Sequence, residues 1–378
     1  MHSTSSWKLA CYPLRFITMS TKPKLFSPGP VDVAKETYEA MCSPTIGHRG
    51  KDFEELYASV QPGLQEIAKS SRPVFLNTAS AWGAMEGSLR NLTRKKVLNL
   101  CCGAFSDKWY DVALRCGKEA EKIQVEWGEP ITPDLVRAKL AEGGFDTVTL
   151  VHNETSTGVL NPLADIVKAV REFDDIMIIV DTVSSFSAVP IDYDALGVDV
   201  LLCGVQKALA LPPGLSLMIV SEAALERSSQ LTDRGYYFDF HEFEKNHAKN
   251  NTPSTPAIPH IYGLRERVQF MLSEGMEARF ARHEATNKMV NEWVIKHGFV
   301  NLAPERYQSK SLTCIKNNLE IDVPGLVKTL REKHNFLING GYGKIKGTTF
   351  RISNMGNETI ETQQVLLDAL DDVIPDFL

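Results

Sequence analysis

Asp181 ends the unbroken apolar run IMIIVD, and Lys207 stands in GVQKALALPPG, just beyond the next apolar run. A segment apolar at every position reads as a strand covered on both faces. A carboxylate at the C-terminal end of such a strand sits where open α/β sheets bind their ligands. Lysine is seldom fully buried without a task. Desolvation lowers its pKa below the ordinary value of about 10.4 and frees the amine to attack a carbonyl. Taken singly, each residue has a blander reading, Asp181 as a turn cap and Lys207 as a surface residue at a strand end. Taken together they are sharper, because an Asp closing one strand and a Lys just past the next can point into one crevice.

That pairing is what pyridoxal phosphate requires: a lysine amine for its aldehyde, and a carboxylate that keeps its ring nitrogen protonated so the ring can accept the electrons of a carbanion. A third element fits the same cofactor. In Thr78-Ala79-Ser80-Ala81-Trp82-Gly83 a strand gives way to a helix starting near Gly83. Small residues let backbone amides approach a phosphate, the helix N-terminus favours its charge, and Ser80 can add a hydroxyl. An ordinary capped helix start is the competing reading of that turn.

The elements that must position these residues follow from the pattern. Val74 to Asn77 reads as a strand, Gly83 to Leu92 as a helix, Lys96 to Leu100 as a strand and Asp107 to Cys116 as a helix. Thr147 to His152, Ile176 to Val180, Val198 to Cys203 and Leu215 to Val220 are further strands, with helical spacing at Leu163 to Phe173. This alternation predicts an α/β fold: a mostly parallel sheet with helices on both faces. The character changes near Gly235, and the proline-rich TPSTPAIP must be extended. One long helical stretch from His260 to His297 follows. Then come Thr313 to Lys316, a helix from Val323 to His334, a strand from Thr348 to Ser353 and a last helix from Glu358. The division expected is an extension over 1–21, a large domain over 22–260 and a smaller α+β domain over 261–378.

The 378 residues carry a net charge of −6, without the basic footprint of a nucleic-acid binder. No apolar run is long enough for a membrane helix. The seven cysteines include only one close pair, the adjacent Cys101 and Cys102, which is not metal-ligand spacing. Reduced thiols and no metal are expected. Residues 1–21 hold Lys8, Arg15 and no acid. Two readings stay open: a weak mitochondrial or plastid transit peptide, or an upstream start with Met19 as the true beginning and a cytoplasmic protein.

Seven segments in order give the chain a resemblance. LFSPGPV (25–31), GHRGKDF (47–53), ASAWGAMEG (79–87), HNETSTGVLNPL (152–163), VDTVSSF with GVQKALALPPG, TPSTPAIPHIYGLRE and FRISNMGNE resemble the class V aminotransferases. These belong to the fold type I pyridoxal-phosphate superfamily, and the likeness is to the branch of alanine–glyoxylate and serine–glyoxylate (serine–pyruvate) enzymes. It runs from about Leu25 to about Ile374. The resemblance implies a homodimer that moves an amino group from serine or alanine to glyoxylate or pyruvate, with Lys207 and Asp181 catalytic. It puts Phe105 over the cofactor's pyridine and Thr155 at its phenolic oxygen. Ala79, Ser80, Ala81 and Gln206 fall at its phosphate, and Thr255 at the phosphate of the neighbouring subunit. Arg351 falls on the substrate carboxylate. Ala79 and Ala81 replace glycines common among relatives, Thr252 stands where some have tyrosine, and the bulkier Trp82 would narrow the substrate site.

Other functions compete. Lys344 and Lys346, with His48 and Arg49, could hold a phosphate, which would suit phosphoserine or 2-aminoethylphosphonate as donor; solvated loop charge is the plainer reading. A class V lyase such as a cysteine desulfurase would need a mobile cysteine, and Cys314 is the only late one, in the strand-like SLTCIK. A binding module on the same fold is the third alternative.

Overall fold

The computed structural model describes residues 22–378; the N-terminal extension, Met19 included, lies outside the described residues. Seven strands build the main sheet: β1 (Val74–Asn77), β2 (Lys96–Cys101), β3 (Glu119–Gln124), β4 (Thr147–Val151), β5 (Met177–Asp181), β6 (Val200–Gly204) and β7 (Ser216–Val220). Their order across the sheet is β1-β7-β6-β5-β4-β2-β3. Only β7 runs antiparallel to its neighbours, β1 and β6; the other pairings are parallel.

The unbroken apolar character of β5 has a direct cause. Ile178 and Val180 enter the core on one face of the sheet, while Ile179 enters the core on the other. All three are fully buried, each stabilising by about 1.5–3 kcal/mol. The helix Lys51–Ala68 contributes Phe53, Val60 and Leu64 to the first layer. The second layer holds α1 (Ala81–Leu92) and α2 (Ala104–Arg115), through Ala84, Leu89 and Trp109. Central strands buried on both faces cannot alternate polar with apolar, which is why the sequence reads as runs.

Among the elements that differ from the sequence expectation, two have a plain physical cause. β3 (EAEKIQ) was not anticipated. It is an edge strand with much of its surface in solvent, so its polar residues hide the strand signal. The long helix is two helices, α3 (Ile258–Glu274) and α4 (Met276–Lys296), divided by Gly275 at φ +83°. Gly adopts that backbone without the Cβ clash other residues meet.

A second, antiparallel sheet follows in the C-terminal part: β8 (Val300–Asn301), β9 (Leu312–Lys316), β10 (Asn339–Gly340) and β11 (Thr349–Ser353), in the order β8-β9-β11-β10. With α5 (Val323–His334) and α6 (Ile360–Val373) it encloses a separate core built on Ile315, Leu326, Phe350 and Leu370. Ile258, Ile261, Leu264 and Val268 of α3 belong to the first core, and the second takes in α4 from Val290 onward. Phe26 also joins the second core, because Lys24–Leu25 pairs in parallel with Phe336–Leu337. No described helix is long and apolar enough to cross a membrane.

Candidate active site

Asp181 is the last residue of β5, in register with Val151 of β4 and Leu202 of β6. Its side chain is withdrawn from water, and Oδ1 accepts the amide of Val183 at 2.7 Å. Burial pushes this carboxyl up to about 7, against the pull of the Val183 amide and of Lys207. Lys207 follows the end of β6 by three residues and is likewise buried. Burial, reinforced by the Arg351 cation, brings its amine down to about 7, with Asp181 and Glu154 acting in the opposite sense. A lysine so placed has a substantial free-amine fraction at neutral pH, the form that condenses with an aldehyde.

The N-terminal segment closes over this lysine. Lys207 Nζ donates to the carbonyl of Pro28, and the amide of Val31 donates to the carbonyl of Gln206 at 3.2 Å. Gly29 lies at φ +106°, and a Cβ there would come within 2.6 Å of Lys207 Cδ. The glycine of LFSPGPV is thus the contact that lets backbone cross the lysine stem.

The remaining side chains assemble on three sides. Phe105 stands in the first turn of α2, with Lys207 Nζ 5.9 Å from its ring centre. The hydroxyls of Thr155 and Ser184 are 2.5 Å apart and buried. Arg351, on β11, is 6% exposed; Nη1 donates to the Thr155 carbonyl at 3.3 Å, and Nε and Nη2 to the Gly340 carbonyl at 3.2 and 3.1 Å. Tyr342 stacks on Phe105 at 5.5 Å and 14°, with the Arg351 guanidinium 5.8 Å from its ring. Ala79 and Ser80 link β1 to α1, which begins at Ala81; Ser80 is the N-cap, is exposed, and makes no side-chain capping bond. Gln206 lies over Gly204, where a Cβ would come within 2.6 Å of its Oε1.

The other expected site residues have these surroundings within this subunit. Thr255 is exposed, whereas Thr252 is buried with its hydroxyl donated to the Ser254 carbonyl at 2.8 Å. Trp82 packs, half-buried, against the apolar layer of α1. His48 lies half-buried in a turn, but the adjacent Arg49 donates to Asn251 Oδ1 at 2.7 Å and to the carbonyls of Thr252 and Pro253 at 2.8 and 3.2 Å. Lys344 Nζ stands 4.7 Å over the Trp127 ring. Cys314 is buried in β9, and burial pushes its thiol up to about 12, opposite to what a nucleophilic cysteine needs.

Several supports were not read from the sequence. Glu154 is buried and accepts the amides of Phe105 and Ser106 at 3.3 and 3.0 Å and the Ser156 hydroxyl at 2.7 Å. It places a carboxylate at the N-terminus of α2 and so fixes the turn that carries Phe105. Arg279 of α4, fully buried, donates to the carbonyls of Ala208 at 2.6 Å and Ser187 at 2.9 Å. Arg267 of α3 donates to Leu209 at 3.0 Å. Together they hold the backbone immediately after Lys207. Glu154 could have been suspected from HNETSTG; nothing in sequence spacing marks the two arginines.

The donor set fits pyridoxal phosphate. It offers one buried amine, one carboxyl at a strand end, a flat ring beside the amine, and a helix N-terminus whose cap hydroxyl is uncommitted. Among the described residues no cluster of three or more His, Cys, Asp or Glu could hold a metal ion.

Comparison with known proteins identifies the family. The family described as aminotransferase class-V matches residues 77–343. An uncharacterized aminotransferase of Methanocaldococcus jannaschii is 34% identical over 342 residues, 89% of each chain. The serine–glyoxylate aminotransferase of Methylorubrum extorquens is 31% identical over 349 residues, 88% of this chain and 86% of its own. The crystal structure of an alanine–glyoxylate aminotransferase from Nostoc superposes with a TM-score of 0.89 at 27% identity, over 99% of this chain and 100% of its own. With this match across most of its length, the chain belongs to the class-V aminotransferases, a family of pyridoxal-phosphate-dependent enzymes.

Proposed function

We propose that this protein transfers the amino group of a small amino acid, serine or alanine foremost, to glyoxylate or pyruvate. The observation that carries the reading is Arg351, a buried guanidinium 5.8 Å from the Tyr342 ring, which stacks on the Phe105 ring that stands beside the Lys207 amine. The names of the serine–glyoxylate and alanine–glyoxylate relatives point the same way.

Bound pyridoxal phosphate would supply an aldehyde that condenses with the donor's amine and a protonated ring that accepts the electrons left at Cα. Lys207 is the residue that holds it. Asp181 would keep the ring nitrogen protonated, Phe105 would cover the ring face, and Thr155 would meet the phenolic oxygen. Gln206, Ser80 and the first amides of α1 would hold the phosphate, together with Thr255 from a second copy of the chain. Arg351 grips the donor carboxylate through its planar fork and orients the Cα–H bond. Lys207, whose amine is buried beside Asp181, would be the group placed to take the Cα proton as base and return it as acid.

A phosphorylated donor is the runner-up. Lys344, one of its two loop cations, is occupied against Trp127, which favours the small donors. A panel of serine, alanine, phosphoserine and 2-aminoethylphosphonate, each with glyoxylate and pyruvate, tests the choice. Serine or alanine should lead; preference for phosphoserine or the phosphonate overturns the substrate assignment.

A further inference from the structure

We propose that Tyr342 is a specificity-determining residue whose ring forms the outer wall of the substrate pocket and limits the length of the donor's side chain. The proposal rests on the reading that Arg351 takes the donor carboxylate and Lys207 works at Cα.

Phe105 is the shared neighbour of Lys207 and Tyr342. Lys207 Nζ is 5.9 Å from its ring, and the Tyr342 ring lies nearly parallel to it at 5.5 Å. The Arg351 guanidinium is 5.8 Å from that same tyrosine ring. A donor held by its carboxylate at Arg351 and by its Cα at Lys207 leaves its side chain to lie beside the Tyr342 ring.

The ring is positioned from both flanks. A Cβ on Gly341 would run into the Ile345 carbonyl and the Thr349 hydroxyl, so backbone packs there without room for a side chain. Gly343 has φ +59°, and a Cβ on it would come within 2.9 Å of the Trp127 ring. Lys344 rests on that indole at 4.7 Å, and Trp127 Nε1 donates to Asp107 Oδ2 at 3.0 Å. Asp107 is two residues beyond Phe105 on α2. The loop bearing one ring is therefore tied to the helix bearing the other. Tyr342 is nevertheless 50% exposed, so it adds little to the core, and what its fixed ring does is cover the buried Arg351.

The test uses the cofactor-loaded enzyme and a donor series of alanine, 2-aminobutyrate, norvaline and norleucine, with glyoxylate as acceptor. One methylene more or less in an apolar pocket shifts discrimination by about 10- to 200-fold. Tyr342→Ala should therefore raise the norleucine-to-alanine ratio of kcat/KM at least about tenfold over the parent, while Tyr342→Phe leaves the ratio within about twofold. Tyr342→Leu, which keeps the loop apolar, should fall between them. In parallel, calorimetric binding of acetate, butyrate and hexanoate reads the same wall without turnover: affinity should fall with chain length in the parent and flatten in Tyr342→Ala. An unchanged donor ratio together with an unchanged carboxylate profile in both Tyr342→Ala and Tyr342→Leu overturns the proposal. If the parent turns over neither alanine nor serine yet the carboxylate profile flattens in Tyr342→Ala, the reaction reading fails and the assignment of Tyr342 stands.

Discussion

Lys207 Nζ donates its hydrogen bond to the carbonyl of Pro28, a residue 179 positions earlier in the chain. The reactive amine is thus held by a segment that belongs to neither flanking strand. Lys207→Ala should abolish turnover and leave no cofactor trapped by borohydride reduction. Trapping that persists on the variant would move the covalent site to another lysine.

Gly29 permits that contact. Gly29→Ala combines a positive φ with a Cβ aimed at the lysine stem, a strain of about 1–2 kcal/mol. Turnover should fall about tenfold or more while the melting temperature drops by only about 1–3 °C, because that strain is small against the unfolding entropy of a chain this long. Steady-state kinetics beside thermal unfolding separates the two effects.

Asp181 links catalysis to stability in opposite directions. Its carboxyl is raised in the fold, from 3.8 to about 7. Its contribution to stability is therefore fully present below pH 3.8 and is lost as pH rises through about 7. In the cofactor-free protein, Asp181→Asn should match the parent near pH 4 and melt higher than it above pH 7. The same variant should lose most turnover when loaded, since the ring nitrogen has no carboxylate. A melting difference that does not grow with pH would contradict the burial penalty.

Arg351→Lys keeps the charge but not the planar fork. Serine and alanine turnover should weaken by about 1–3 kcal/mol, seen in kcat/KM, with the cofactor spectrum unchanged. Equal efficiency in variant and parent would remove Arg351 from the carboxylate site.

Thr255 is exposed in the proline-rich segment, and the resemblance assigns it to the cofactor phosphate of a second subunit. Thr255→Ala should raise the cofactor's dissociation constant about tenfold, the worth of one hydrogen bond to a charged group at about 1.5 kcal/mol. Sedimentation should show a dimer; a monomer active at nanomolar concentration would refute the shared site.

The sequence made Asp181 and Lys207 legible because burial on both faces writes β5 and β6 as apolar runs, and a charged residue at the end of such a run stands out. β3 was illegible for the converse reason: an edge strand in solvent keeps polar residues. The break at Gly275 was hidden because a single glycine inside helical spacing is tolerated as often as it terminates. Arg279 and Arg267 were illegible on other grounds. Each holds backbone carbonyls about 60 to 90 residues distant, and a carbonyl leaves no trace in residue type. Tyr342 is inconspicuous beside the lysines of its loop, although its ring adjoins both Phe105 and Arg351.

The pairing of Leu25 with Leu337, and the bond from Val31 to Gln206, fix both ends of a short stretch of chain. Six residue steps span at most about 20–22 Å when fully extended. The stretch is accordingly a leash of fixed length between the C-terminal core and the lysine loop. However the two cores shift during turnover, they cannot part beyond that reach while both anchors hold, and any strain on the leash is delivered at Pro28, against the amine itself.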